Sequence, residues 1–264
     1  MEITQILGYL SALLIGVVLG LIGGGGSILT IPILVYLMRI EPVVATAYSL
    51  FVVGITSTVG SIKNIHKGLV DFKTVFVFAI PAFLSVYATR RFIIPAIPTS
   101  LFEINGFMVT KNIAIMVFFA VMMLLASLTM IRNKRPESDL VPKTNYPLLV
   151  VLAVITGLLT GLVGAGGGFI IIPILVLFAK LPMKNAVATS LVIIMINSLI
   201  GFTGDIENMD IDWEFLLPFS ILPIIGIFIG IWLHRFIDGK KLKKSFGWFV
   251  FLMSIYIIFK ESSF

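Results

Sequence analysis

The chain has 264 residues, of which 59% are hydrophobic and 12% charged, about half the roughly 25% charged residues usual in soluble domains; its mean hydropathy is +1.12. A water-soluble fold of this size needs more polar surface than these residues supply, which excludes a soluble enzyme, a nucleic-acid binder and a disordered chain and leaves an integral membrane protein. The net charge of +6 then reads as membrane topology, and the lack of cysteine excludes disulfides, iron–sulfur clusters and thiolate metal sites.

In chain order, uncharged apolar runs occupy 3–22, 28–38, 43–62, 74–89, 112–131, 147–163, 169–179, 186–203, 215–233 and 245–259. Several approach the ~20 residues that cross a bilayer's hydrocarbon core as a helix. Met1–Gln5 lacks the basic start of a secretory signal and reads as the uncleaved opening of the first run. Runs 28–38 and 169–179 are too short: 11 residues each make about 16 Å of helix at ~1.5 Å per residue. Each follows a glycine cluster, Gly23-Gly24-Gly25-Gly26 and Gly164-Ala165-Gly166-Gly167-Gly168.

That coincidence leads to an internal repeat. At a shift of 141, residues 20–50 lie over 161–191 without a gap, and 14 of the 31 positions are identical, Gly23/Gly164, Pro32/Pro173 and Ser49/Ser190 among them. Further on, Gly60 meets Gly201 and Asp71 meets Asp212. The predicted organisation is a first repeat over 1–131, a charged, proline-containing linker over 132–146 and a second repeat over 147–264.

With about five helical segments per half, an odd number of crossings inverts the second half relative to the first. The positive residues agree: Lys63–Lys73, Arg132–Lys143, Lys180–Lys184 and Arg235–Lys244 place 14 of the 19 on one side under that arrangement. Positive residues accumulate on the cytoplasmic side, so both termini are expected outside. The fold class is therefore an all-α polytopic membrane protein of two inverted-topology repeats with glycine-turned, short or re-entrant helices.

Short, glycine-interrupted segments at matching positions of two halves point to a transporter's binding site. Glycine lets the backbone turn tightly and approach a ligand, and a helix starting just after it aims unpaired N–H groups there, favouring an anion. The alternative is close helix packing through small residues. In the third run Ser49, Thr56 and Gly60 share a helical face, as do Ser190, Asn197 and Gly201 in the eighth. These stripes suit either hydrogen bonds to a polar substrate or bonds between helices; Thr46, Thr58 and Thr189 are weaker candidates.

No ionisable residue lies in the first three runs of either half, so a proton relay lacks its usual markers. Arg90-Arg91 read as membrane-edge anchors, with His234-Arg235 as their counterpart, and Asp205–Glu214 reads as a solvated acidic loop without the glycine of a calcium loop. Asp71 and Asp212 are expected to cap helices. No nucleophile–base set or metal motif is present, the two histidines are far apart, and neither an enzyme nor a cofactor or metal is expected.

The paired glycine motifs, the Ala-x-Ala-[Tyr/Thr]-Ser-Leu stretches at 45–50 and 186–191, and Asp212-Trp213 resemble the TauE/SafE sulfite exporter family over essentially the whole chain. The resemblance implies a multi-pass transporter of the bacterial or archaeal cytoplasmic membrane, moving small sulfur-containing anions such as sulfite, sulfoacetate or other organosulfonates. It implies no cofactor and no partner beyond that substrate and the lipid bilayer; nucleic acid is excluded and no motif fixes an oligomeric state. The residues it carries over are Gly24, Gly25, Gly26 and Ser27 with Ser49 and Thr56, and Gly166, Gly167 and Gly168 with Ser190 and Asn197. Ala165 inside the second turn makes the half-sites unequal. An interior-negative membrane drives an anion outward by about 2.3 kcal/mol per charge per 100 mV, which favours export. A channel-like anion pore and a non-transporting membrane scaffold are the competing readings.

Overall fold

The computed structural model describes residues 3–24, 26–104, 107–132, 145–233, 236 and 239–262. Gly25, nearly all of the expected linker and the His234-Arg235 pair lie outside the described residues. The first half comprises α1 (Ile3–Ile22), α2 (Gly26–Pro32), α3 (Pro42–His66), α4 (Phe72–Ala88), α5 (Ile94–Ala96) and α6 (Lys111–Arg132), and the second comprises α7 (Tyr146–Val163), α8 (Gly168–Leu177), α9 (Met183–Ile206), α10 (Trp213–Leu233) and α11 (Gly239–Ser262). Two π-helical turns extend helices: Ile33–Leu37 prolongs α2 from Pro32 onward, and Thr89–Ile93 joins α4 to α5. Among the described residues six helices are long and apolar enough to cross a membrane, and the chain is an all-α polytopic membrane protein.

One small sheet interrupts the helices. Strands β1 (Ser100–Ile104) and β2 (Phe107–Thr110) pair antiparallel in the connection before α6. Their sequence explains it: short apolar and β-branched stretches flank Asn105-Gly106, a dipeptide favoured in hairpin turns.

The duplication is visible in backbone detail. Asp71 accepts a hydrogen bond from the Thr74 amide (2.7 Å) and Asp212 one from the Phe215 amide (3.0 Å), so both aspartates are the expected N-caps. The Asp71 amide itself donates to Thr189 Oγ1 (3.0 Å) and the Asp212 amide to Tyr48 Oη (2.8 Å), tying each cap to the opposite half through repeat-equivalent positions. Each short helix also ends on a left-handed residue, Arg39 (φ 57°) and Lys180 (φ 58°), at matching positions. Left-handed backbone is uncommon outside glycine, so its recurrence marks one chain path used twice.

Packing exchanges the halves. α1 lies on α10 and α7 on α4; α3 pairs with α9 and α6 with α11; α4 also meets α9 as α10 meets α3. Swapping the halves returns the same set of partners, as a two-fold relation requires. The α1–α10 contact runs through Gly16 and Gly20 against Gly226 and Gly230, in the same chain direction. The equivalent contact sets Gly157 against Ala82 and Ser85, and Gly161 against Thr89. In contrast, α3 and α9 run antiparallel: Leu50 touches Gly201, Gly54 touches Leu199 and Gly60 touches Leu191. These two helices form the centre, with 67% of each apolar window buried against 39% for the other four long helices. The outer faces carry exposed Leu10 and Leu14 on α1, Phe76 and Leu84 on α4, Ile221 and Phe228 on α10 and Leu252 and Phe259 on α11, the apolar surface a bilayer covers.

These small-residue contacts leave no space for a side chain. A Cβ on Gly226 would lie 2.2 Å from the Leu13 carbonyl oxygen. Gly226→Ala is expected to cost about 1–3 kcal/mol by overpacking, read as a lower unfolding temperature in detergent; an unchanged melt would mean that α1 and α10 are not in backbone contact.

Candidate functional site

The two glycine turns meet at the middle of the molecule. A Cβ on Gly24 would lie 2.7 Å from the Gly168 carbonyl carbon, and one on Gly168 would lie 2.6 Å from the Gly24 Cα. Only residues without side chains allow such an approach. Gly23 (φ 81°) and Gly164 (φ 75°) are left-handed at equivalent positions, and Gly166 (φ 64°) and Gly167 (φ 71°) continue the second turn. Gly26 instead sits within α2, packed on the Ile15 carbonyl and Leu19, so the half-sites differ in conformation as well as in sequence.

The second turn rests on the crossing of the central helices. Gly166 packs against Val53 of α3 and against Ile194 and the Ser198 hydroxyl of α9. Val53 is one turn from both Ser49 and Ser57, so the α3 residues nearest the turn are flanked by hydroxyls. Ser27, Ser49, Thr56, Ser57, Ser190, Asn197 and Ser198 are all sealed from solvent.

Their hydrogen bonds divide the sequence candidates. Ser27 donates to the Gly24 carbonyl (2.9 Å), Thr56 to Val52 (2.6 Å) and Ser190 to Val187 (2.9 Å), each satisfied within its own turn or helix. The Ser49 hydroxyl and both ends of the Asn197 amide have no partner among the described residues. The sequence reading passed over Ser57 and Ser198, which are repeat-equivalent, fully buried and equally unpartnered. The repeat carried that signal, since the same shift of 141 continued beyond the ungapped stretch sets Ser57 over Ser198. Thr160 on α7 adds a further free hydroxyl beside Gly167. Buried polar atoms without partners are rare and costly; Ser198 and Thr160 touch the second glycine turn, and with Ser49, Ser57 and Asn197 on the two helices it packs against they make a candidate cradle for a polar ligand.

A buried ion pair adjoins this cradle and corrects two sequence readings. Arg90 is not a membrane-edge anchor: it is 0% exposed, its Nη1 lies 3.4 Å from Asp205, which is 1% exposed, and it donates to Thr46 Oγ1 (3.0 Å). Asp205 is not in a solvated loop, because α9 extends through it to Ile206. Gly164 packs directly against Arg90 Nη2 and Thr46. Arg91 keeps the expected surface role and pairs with Glu207.

A two-fold-related set of helices around meeting glycine turns and unpartnered hydroxyl and amide groups, in a multi-pass membrane protein, is the architecture of a transporter. The sequence pattern of the sulfite exporter TauE/SafE family matches residues 9–257, and the chain belongs to that family. A relative in Xylella fastidiosa (strain Temecula1), named "Probable membrane transporter protein", is 26% identical over 94% of this chain and 92% of its own. Bacillus subtilis YunE, of the same description, is 28% identical over 93% and 92%, and one from Methanocaldococcus jannaschii is 36% identical over 42% and 44%. No solved structure matches the chain.

Proposed function

We propose that the protein exports a small sulfur-containing anion, such as sulfite, sulfoacetate or another organosulfonate, across the cytoplasmic membrane by alternating access between two inverted repeats, 1–131 and 147–264, joined by a cytoplasmic linker. The observation that carries this reading is the set of unpartnered Ser49, Ser57, Asn197 and Ser198 groups on α3 and α9, the two helices against which the second glycine turn packs through Val53, Ile194 and Ser198. Hydroxyl, amide and backbone N–H donors bind an anion without fixing it as a buried Lys would. The antiparallel course of α3 and α9 supports inversion, because repeats of equal orientation would set these equivalent helices parallel. With 14 of 19 basic residues on one side, that side is cytoplasmic and both termini lie outside.

Ser49, Ser57, Asn197 and Ser198 are fully buried, as expected of the occluded member of an alternating-access cycle and not of a permanently open pore. No catalytic step and no cofactor are part of this reading.

The test is flux of sulfite, sulfoacetate and sulfate through protein in liposomes under an imposed membrane potential. Asn197→Leu keeps the size of the side chain and removes its hydrogen bonds. A bond to a charged group contributes about 1.5–3 kcal/mol, so the half-saturating sulfite concentration should rise roughly 10- to 100-fold, with Ser49→Ala giving a smaller rise. Unaltered saturation in both well-folded variants would place the binding site elsewhere.

A further inference from the structure

The Arg90–Asp205 pair lies between the glycine turns and an open cleft. The cleft, of about 260 Å³, is lined by Glu41, Val43, Lys111, Asn112 and Asn208 among others. Two chains of contact lead inward from it. The Val43 carbonyl accepts the Thr46 hydroxyl (2.7 Å), and Thr46 Oγ1 accepts from Arg90 Nη1. On the opposite wall, Asn208 donates to the Gly204 carbonyl (3.0 Å), and Gly204 packs on the Arg90 side chain. From Arg90 the path continues to Gly164, which touches Nη2 and belongs to the glycine turn itself.

Arg90 is incompletely satisfied in this position. Its Nε and Nη2 have no acceptor among the described residues although the residue is fully buried, and the Asp205 contact is long for a hydrogen-bonded pair. A guanidinium presents a fork of N–H groups that matches two oxygens of an oxyanion or sulfonate, and here half of that fork is vacant. Among the described residues, Asp205 is the carboxylate paired with it.

We propose that Arg90 is a second anion-binding station, between the central cradle and this cleft, where Asp205 holds the guanidinium when no anion is present and a passing oxyanion or sulfonate displaces it. The station rests on the transport reading and adds a route to it: an anion leaving the cradle along Gly164 meets Arg90, then Lys111 at the cleft. Lys111 already turns its ammonium to the Ile94 carbonyl on the α4–α5 extension that carries Arg90.

The test uses the full-length protein with sulfite and methanesulfonate as probes. Asp205→Asn leaves Arg90 without its counter-charge, so its unfolding temperature should fall without anion and recover in sulfite at a concentration at least tenfold below that needed to stabilise wild type. The paired variant Arg90→Met with Asp205→Leu removes both charges, which avoids an orphaned ion, and should keep its fold while losing at least tenfold in flux. An Asp205→Asn protein no more sensitive to sulfite than wild type, or a paired variant with wild-type flux, overturns the station and leaves the ion pair a structural staple. Wild type that neither binds nor carries either probe defeats the transport reading and the station with it. Flux in wild type that persists in the paired variant defeats only the station.

Discussion

Gly168→Val, and Gly24→Val from the opposite side, are expected to lower stability by about 3 kcal/mol or more and to abolish flux. A Cβ on either residue would fall 2.6–2.7 Å from backbone atoms of the other, and valine adds two γ-carbons beyond it. Had the colliding atoms belonged to a flexible side chain, a change of rotamer could relieve them. Backbone of a short helix start cannot move without shifting α2 or α8, and each of these is packed between the central helices and the rest of its half. Gly168→Ala should show the same effect at about 1–3 kcal/mol. Unfolding in detergent gives the stability term, and flux per folded protein in liposomes gives the functional one. A Gly168→Val protein of normal stability and flux would mean that the two turns do not meet, and the shared site between the halves would fall with that contact.

Those glycines were legible because a repeat search needs no structure: a turn that must be made twice keeps its special residues twice. The same duplication explains why Asp71 and Asp212 could be assigned as caps. Other parts of the fold were hidden for a physical reason. Gly16 and Gly20, like Gly157 and Gly161, mark a face for close approach, but four residues of spacing do not say whether the partner lies in the same half or the other one. The answer depends on Gly226 and Gly230 in α10 and on Ser85 in α4 and Thr89 just after it, positions that differ in residue type between the halves. The hairpin over β1 and β2 escaped a search tuned to apolar runs of membrane-crossing length.

The candidate site was legible only in its polar pattern. Ser49 and Asn197 stood out as polar groups on an apolar face, and their side chains lack hydrogen-bond partners among the described residues. Thr56 and Ser190 looked equivalent to them in sequence, yet each bonds to a carbonyl of its own helix, a choice set by side-chain rotation that spacing does not encode. Arg90 was misread because its neighbours in sequence, Arg91 on one side and the end of an apolar run on the other, are those of an anchor. It faces inward because it continues the buried stripe of α4, one turn beyond Val86 and two beyond Ala82, a face that the last residues of an apolar run do not reveal. Its partner Asp205 is remote in sequence and opens an acidic stretch, so nothing local marks it as buried.

The ion pair gives the second large effect, and it concerns stability alone. Removing one charge from a buried pair leaves the other uncompensated, at a cost of about 3–5 kcal/mol, whereas replacing both with apolar residues of similar volume is often neutral or stabilising. Arg90→Gln, which orphans Asp205, should therefore unfold far below wild type, while Arg90→Met combined with Asp205→Leu should melt close to it. Thr46→Val, which removes an acceptor from Arg90 and leaves the pair, should fall between them at about 1.5–3 kcal/mol. The full exposure difference matters here: Arg91 and Glu207 make the same kind of pair in the next position, but they are 30% and 59% exposed, so Arg91→Gln should cost no more than about 1 kcal/mol. Equal losses for Arg90→Gln and Arg91→Gln would show that water reaches Asp205, because only solvent can make a buried and an exposed pair alike. A large loss at Arg90 that the paired change restores would show that each buried charge is tolerated only because the other stands beside it.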